Sequence, residues 1–220
     1  MYTGVSVLHR AIADLGFRSI RVCGGCDPSF MVSVAVAAVV GGLAGVAMRY
    51  GLIWPSPRYL PLLSAIGTGW VWWRFDGSEY AVPLCAMVWW FAALSAVDLR
   101  WHRLPNGLTI PGAMVVTVTL VSIGSASALL GGALLFAIYL LVHLLAPAAF
   151  GAGDVKLAWS VGSIAALGGG VGWSIAAVTA PLATAVVGSV LAVGGHGRAR
   201  IAHGPSMCAA TLLASAACLT

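Results

Sequence analysis

The chain has 220 residues, of which 60% are apolar and 8% charged, and its formal net charge is +5. A soluble domain carries roughly 25% charged residues, so this composition excludes a water-covered globule and points to lipid as the solvent. The basic excess is spread over short loops, with no Lys/Arg-rich run that could track a phosphate backbone. Nucleic acid is therefore excluded as a partner, and the positive charges read as topology signals.

Residues 1–30 are the longest polar stretch. They read as an N-terminal tail, disordered or upstream of the true start, with Met31 a second candidate start. Residues 31–220 read as one transmembrane domain. The tail lacks the order of a cleaved signal peptide, because no long apolar region precedes a small-residue site. It carries Cys23-Gly24-Gly25-Cys26. A lone CxxC supplies half a zinc site and no second pair follows, so no metal and no cofactor is expected. Cys85, Cys208 and Cys218 lie in apolar stretches, where free Cys acts as a small hydrophobe.

Apolar spans follow at 32–48, 59–73, 82–97, 108–124, 127–147, 155–169, 171–194 and 203–220. About 20 apolar residues cross a bilayer as a helix. The expected fold class is all-α, a polytopic transmembrane helix bundle of about eight spans. Abundant Gly and Ala suit close helix packing in lipid. Trp70, Trp72, Trp73, Trp89, Trp90 and Trp101 read as an interfacial belt near span ends.

Alternate loops carry very different charge. One set holds Arg49, Arg58, Arg100, Arg103, Lys156, Arg198 and Arg200. The other holds Arg74, beside Asp76 and Glu79. The positive-inside rule puts the first set in the cytoplasm. The three Arg of the tail oppose that trend, and the C-terminus falls outside.

Six acids occur in the chain. Asp14 and Asp27 are in the tail, and Asp76 and Glu79 are in a polar loop. Asp98 ends the third span and Asp154 begins the sixth. Two spans separate them, so both lie on one face at matching depth. An ionisable group at membrane depth is a functional candidate by default. Two neighbouring carboxyls cannot both ionise at neutral pH, so one keeps a proton. That is the state aspartyl hydrolysis needs: the ionised group accepts a proton from water and the protonated group donates to the scissile carbonyl. Loose ion pairs with Arg100, Arg103 and Lys156 remain the alternative. That alternative is weaker for Arg100 and Lys156, because residues two apart on a helix do not face each other.

The flanks add detail. Gly151 and Gly153 precede Asp154 and permit close approach or unusual dihedrals. Pro105 and Pro111 are expected to break helix on either side of a span start. Asn106 is expected to cap the following helix.

The run Asp98-Leu-Arg-Trp-His-Arg-Leu-Pro-Asn-Gly-Leu-Thr-Ile-Pro111 resembles the first aspartate motif of type IV prepilin peptidases. Gly151-Ala-Gly153-Asp154-Val-Lys156-Leu157 resembles their Gly-x-Gly-Asp motif. His203-Gly204-Pro205 resembles the Gly-Pro that opens their last span. The resemblance covers about residues 80–215. It implies a membrane aspartyl endopeptidase without a metal cofactor, in the bacterial inner (cytoplasmic) membrane with its site facing the cytoplasm. The partners it implies are membrane lipid and a prepilin or pseudopilin helix, whose basic leader is cut after a Gly. Asp98 and Asp154 match the catalytic pair. Gly151, Gly153, Lys156, Pro105, Asn106 and Thr109 are the supporting positions.

One feature departs from many bacterial members. The loop at 49–58 has no Cys-rich insertion of the kind linked to N-methylation. Cleavage without methyl transfer is therefore expected, as in short peptidases serving Flp or Tad-type pili. Competing readings are a preflagellin-type or signal-peptide-type aspartyl peptidase, a small transporter, and a pilus-assembly subunit with non-catalytic acids. Acyl transfer has no supporting sequence pattern around His143 or Cys208.

Overall fold

The computed structural model describes residues 28–51, 58–75, 81–147, 151–196 and 200–218. Cys23, Cys26, Asp76 and Glu79 lie outside the described residues, as does most of the N-terminal tail. The described chain is all helical. The helices are α1 (Pro28–Gly51), α2 (Leu60–Phe75), α3 (Ala81–Trp101), α4 (Asn106–Ser122), α5 (Ala126–Leu145), α6 (Ala152–Ala166), α7 (Gly169–Leu191) and α8 (Gly204–Cys218). α7 runs on into a π-helical turn, Ala192–His196, where Gly195 takes a left-handed φ of 81°.

Four of these helices are long and apolar enough to cross a membrane: α1, α3, α5 and α7 with its π turn. Their outer faces carry Leu43, Leu130, Leu144 and Val186, each more than 60% exposed. Such a surface is stable in hydrocarbon, where the backbone must satisfy itself within each helix. α6 and α8 have 15 residues each. At 1.5 Å per residue that is about 22 Å, short of the roughly 30 Å hydrocarbon core. Both helices are therefore short for a full crossing, and both are largely enclosed by neighbours. α6 packs against α4, α5, α7 and α8, while α1 and α2 pair as a hairpin that reaches the rest mainly through α3.

Small residues set these contacts. A Cβ placed on Gly162 of α6 would lie 2.7 Å from the Leu135 Cβ of α5 and 2.8 Å from the Gly131 carbonyl oxygen. Only Gly lets these two backbones come so close.

Two sequence expectations are corrected. Pro111 does not break a helix; it lies inside α4. A Pro near a helix start removes a single backbone bond, and packed membrane helices absorb that. Trp89 and Trp90 are not belt residues, because they sit in the middle of α3 and donate across helices. Trp89 Nε1 donates to Thr68 Oγ1 of α2 at 2.8 Å, and Trp90 Nε1 donates to the Leu108 carbonyl of α4 at 3.0 Å.

The helix ends sort as the span parity requires. The C-terminus of α3 meets the N-terminus of α8, where the Gly204 N–H donates to Asp98. The N-terminus of α4 meets that of α6 through Lys156 and Asn106. At the opposite end, Arg74 of α2 donates to the Ala216 carbonyl late in α8 at 3.4 Å.

Candidate active site

Asp98 lies in the last turn of α3 and is 5% exposed. The helix stops because His102 turns left-handed at φ 51°. Its N–H donates to the Asp98 carbonyl at 2.7 Å, and its Nε2–H donates to the Arg200 carbonyl at 2.9 Å. The first N–H groups of a helix have no partner within it and carry positive dipole character. Asp98 answers that need for α8: its Oδ2 accepts the Gly204 N–H at 2.8 Å. A Cβ on Gly204 would stand 2.8 Å from that oxygen, so the site needs Gly there.

Asp154 solves the same problem within its own helix. It is the third residue of α6, after the extended N-cap Gly151 (φ −74°, ψ 146°). Its Oδ2 accepts the Gly151 N–H at 3.3 Å, the half of a capping box that the N3 side chain supplies. Gly153 earns its place by close approach rather than by an unusual dihedral. Its φ is not positive, and a Cβ there would lie 2.8 Å from the Cβ of Leu104. The first turn of α6 is thereby seated on the α3–α4 connection.

The two carboxyls are within electrostatic reach of each other. The Cys208 thiol of α8 feels both, and the Tyr139 hydroxyl of α5 feels Asp154. Below the pair lies an apolar floor that includes Leu94, Leu104, Val155, Leu157 and Met207. Among the described residues, no group of three or more His, Cys, Asp or Glu is placed to hold a metal ion.

Two of the cations near the acids in sequence make contacts of their own. Lys156 Nζ donates to Asn106 Oδ1 at 2.7 Å. The Arg100 guanidinium lies over the Trp101 ring, 5.8 Å from its centroid. Asn106 is not the cap of α4. Pro105 occupies the N-cap position without a side-chain bond, because its ring offers no acceptor, and Asn106 begins the helix. Thr109 is buried and donates to the Pro105 carbonyl at 3.2 Å. With Ile110, Thr117, Phe136 and Lys156 it also lines a groove of about 460 Å³ beside the site.

Sequence reasoning missed a polar cluster next to the pair. His203 is 7% exposed and bonds Tyr139 and Thr184 through its two ring nitrogens. Its sequence signal is its place in His203-Gly204-Pro205, immediately before the Gly-Pro.

Neither a curated relative nor a solved structure matches the chain. The sequence model of the type IV leader peptidase family matches residues 85–194, from early α3 through α7 into the π-helical turn. The match covers both aspartate motifs and half of the chain, and the protein belongs to the type IV leader peptidase family of membrane proteases.

Proposed function

We propose that this protease is an aspartyl endopeptidase that removes the basic leader from prepilin-like precursors, with Asp98 and Asp154 as its catalytic pair. The observation that carries this reading is the convergence of the two motif acids at one end of the bundle, each oriented by a backbone N–H. The ionised carboxylate takes a proton from water as the water oxygen bonds to the scissile carbonyl carbon. The protonated partner gives its proton to the carbonyl oxygen. Collapse of the gem-diol intermediate breaks the C–N bond; the leaving amine takes a proton from the acid formed in the first step, and a gem-diol hydroxyl returns its proton to the other carboxylate.

The cytoplasmic face is favoured because Arg100, Arg103, Lys156 and Arg200 lie at the end that holds the pair, following the positive-inside bias. The substrate's apolar helix would enter laterally. The groove between α4, α5 and α6 supports this, since it is apolar along its length and has Lys156 at one end. Gly151, Gly153 and Pro105 shape the site, and Asn106, Thr109 and Lys156 border it on the groove side. The connection between α1 and α2 has no Cys, which favours cleavage without N-methylation.

The test is cleavage of a prepilin-like substrate by the purified protein in detergent, with the products mapped by mass spectrometry. A single cut after the leader Gly, absent with Asp98→Asn and Asp154→Asn, is the expected result. Methyl transfer from S-adenosylmethionine to the product would overturn the second part of the proposal.

A further inference from the structure

His203 immediately precedes the Gly204 N–H that holds Asp98. Its imidazole is fixed from two other helices. The Tyr139 hydroxyl of α5 lies 3.0 Å from Nε2, and the Thr184 Oγ1 of α7 lies 2.6 Å from Nδ1. The Ser206 hydroxyl donates to the His203 carbonyl at 2.7 Å and is itself 2.6 Å from Thr184 Oγ1. The Thr184 hydroxyl also donates to the Ala180 carbonyl of its own helix at 3.1 Å, so it is anchored within α7 as well as against the imidazole.

This ring of bonds ties α5, α7 and α8 together one residue from the Asp98 contact. It also reaches the other acid, since Tyr139 lies within electrostatic range of Asp154. Gly204 has no side chain with which to anchor itself, and Asp98 Oδ2 is already as close as its backbone allows. The position of the Gly204 N–H must be set from outside, and His203 is the adjoining residue held on both sides.

We propose that His203 is a positioning residue for the Asp98–Asp154 pair: clamped between Tyr139 and Thr184, it fixes the Gly204 N–H and hence the orientation of the Asp98 carboxyl. The inference rests on the catalytic reading of the two acids. The expected signature is a loss in kcat without a change in KM, because none of His203, Tyr139 and Thr184 lines the substrate groove and the chemistry is sensitive to small misplacement.

The test is steady-state leader cleavage by the full-length protein, with a thermal melt of each variant. The variants are His203→Phe, His203→Asn, Tyr139→Phe and Thr184→Val, alongside wild type and Asp98→Asn. His203→Phe is expected to lower kcat on the order of 10- to 100-fold with KM within twofold. His203→Asn keeps an amide group close to the Nδ1 position, able to donate to or accept from Thr184, and is expected to recover part of that loss. Tyr139→Phe is expected to add little to His203→Asn, which already lacks the Tyr139 bond, so the pair should be non-additive. If His203→Phe fails to fold, Tyr139→Phe and Thr184→Val, each of which removes only a hydroxyl, decide the matter. Wild-type kcat in the folded hydroxyl variants overturns the proposal, and so does a parallel rise in KM. Wild type that cleaves beside an inert Asp98→Asn keeps the catalytic reading standing whatever His203 does. Wild type that cleaves nothing overturns both.

Discussion

Gly204→Ala gives a quantitative test of how Asp98 is held. The new Cβ would lie 2.8 Å from Asp98 Oδ2 and 3.3 Å from its Cγ. An ordinary contact begins near 3.4 Å, so the carboxyl or the start of α8 must yield by roughly 0.6 Å. The Gly204 N–H···Oδ2 bond then stretches from 2.8 Å to beyond the 2.7–3.2 Å range in which N–H···O bonds are effective. A hydrogen bond to a charged group contributes about 1.5–3 kcal/mol. If that contribution is expressed in the transition state, kcat falls roughly 10- to 150-fold. The measurement is steady-state cleavage of a prepilin-like substrate, with a melting curve to show that the variant is folded. A folded Gly204→Ala protein with wild-type kcat would refute the view that this backbone contact orients Asp98.

Three further substitutions probe the scaffold. Gly162→Val drives side-chain atoms into Leu135 and the Gly131 carbonyl, and overpacking of this kind is expected to destabilise the bundle by about 1–3 kcal/mol in a denaturant titration. Trp90→Phe removes the indole bond from α3 to the Leu108 carbonyl; the expected loss is about 0.6–2 kcal/mol in the same titration, and cleavage should survive. Lys156→Met removes an exposed contact to Asn106; it is expected to cost at most about 1 kcal/mol in stability and to leave leader cleavage within tenfold of wild type, because exposed polar contacts contribute little.

Much of the architecture was legible because lipid imposes simple rules. Eight apolar runs became eight helices, and counting spans between Asp98 and Asp154 put both at one end. Charge bias and parity did this without any tertiary knowledge. Other features depended on packing. Asn106 looks like a cap from its residue type and position, yet Lys156 arrives from α6 to take its side chain. Pro111 looks like a helix stop, yet α4 carries through it. Trp89 and Trp90 fit a belt by composition, but their indole N–H groups meet acceptors on α2 and α4. The His203 cluster draws on α5, α7 and α8, and no local pattern joins residues so far apart in the chain. Gly153 makes a close approach, to Leu104, while Gly151 has ordinary space around it and neither has a positive φ.

The central claim is that Asp98 and Asp154 together perform hydrolysis. The most direct measurement is leader cleavage by wild type, Asp98→Asn and Asp154→Asn, each reconstituted in lipid vesicles and shown to be inserted. Each amide keeps an oxygen that can accept the Gly204 or Gly151 N–H, so the fold is expected to survive while the shared proton is lost. Wild type should release the leader, and both variants should release none. Normal cleavage by either variant would remove that residue from the catalytic pair and contradict the account.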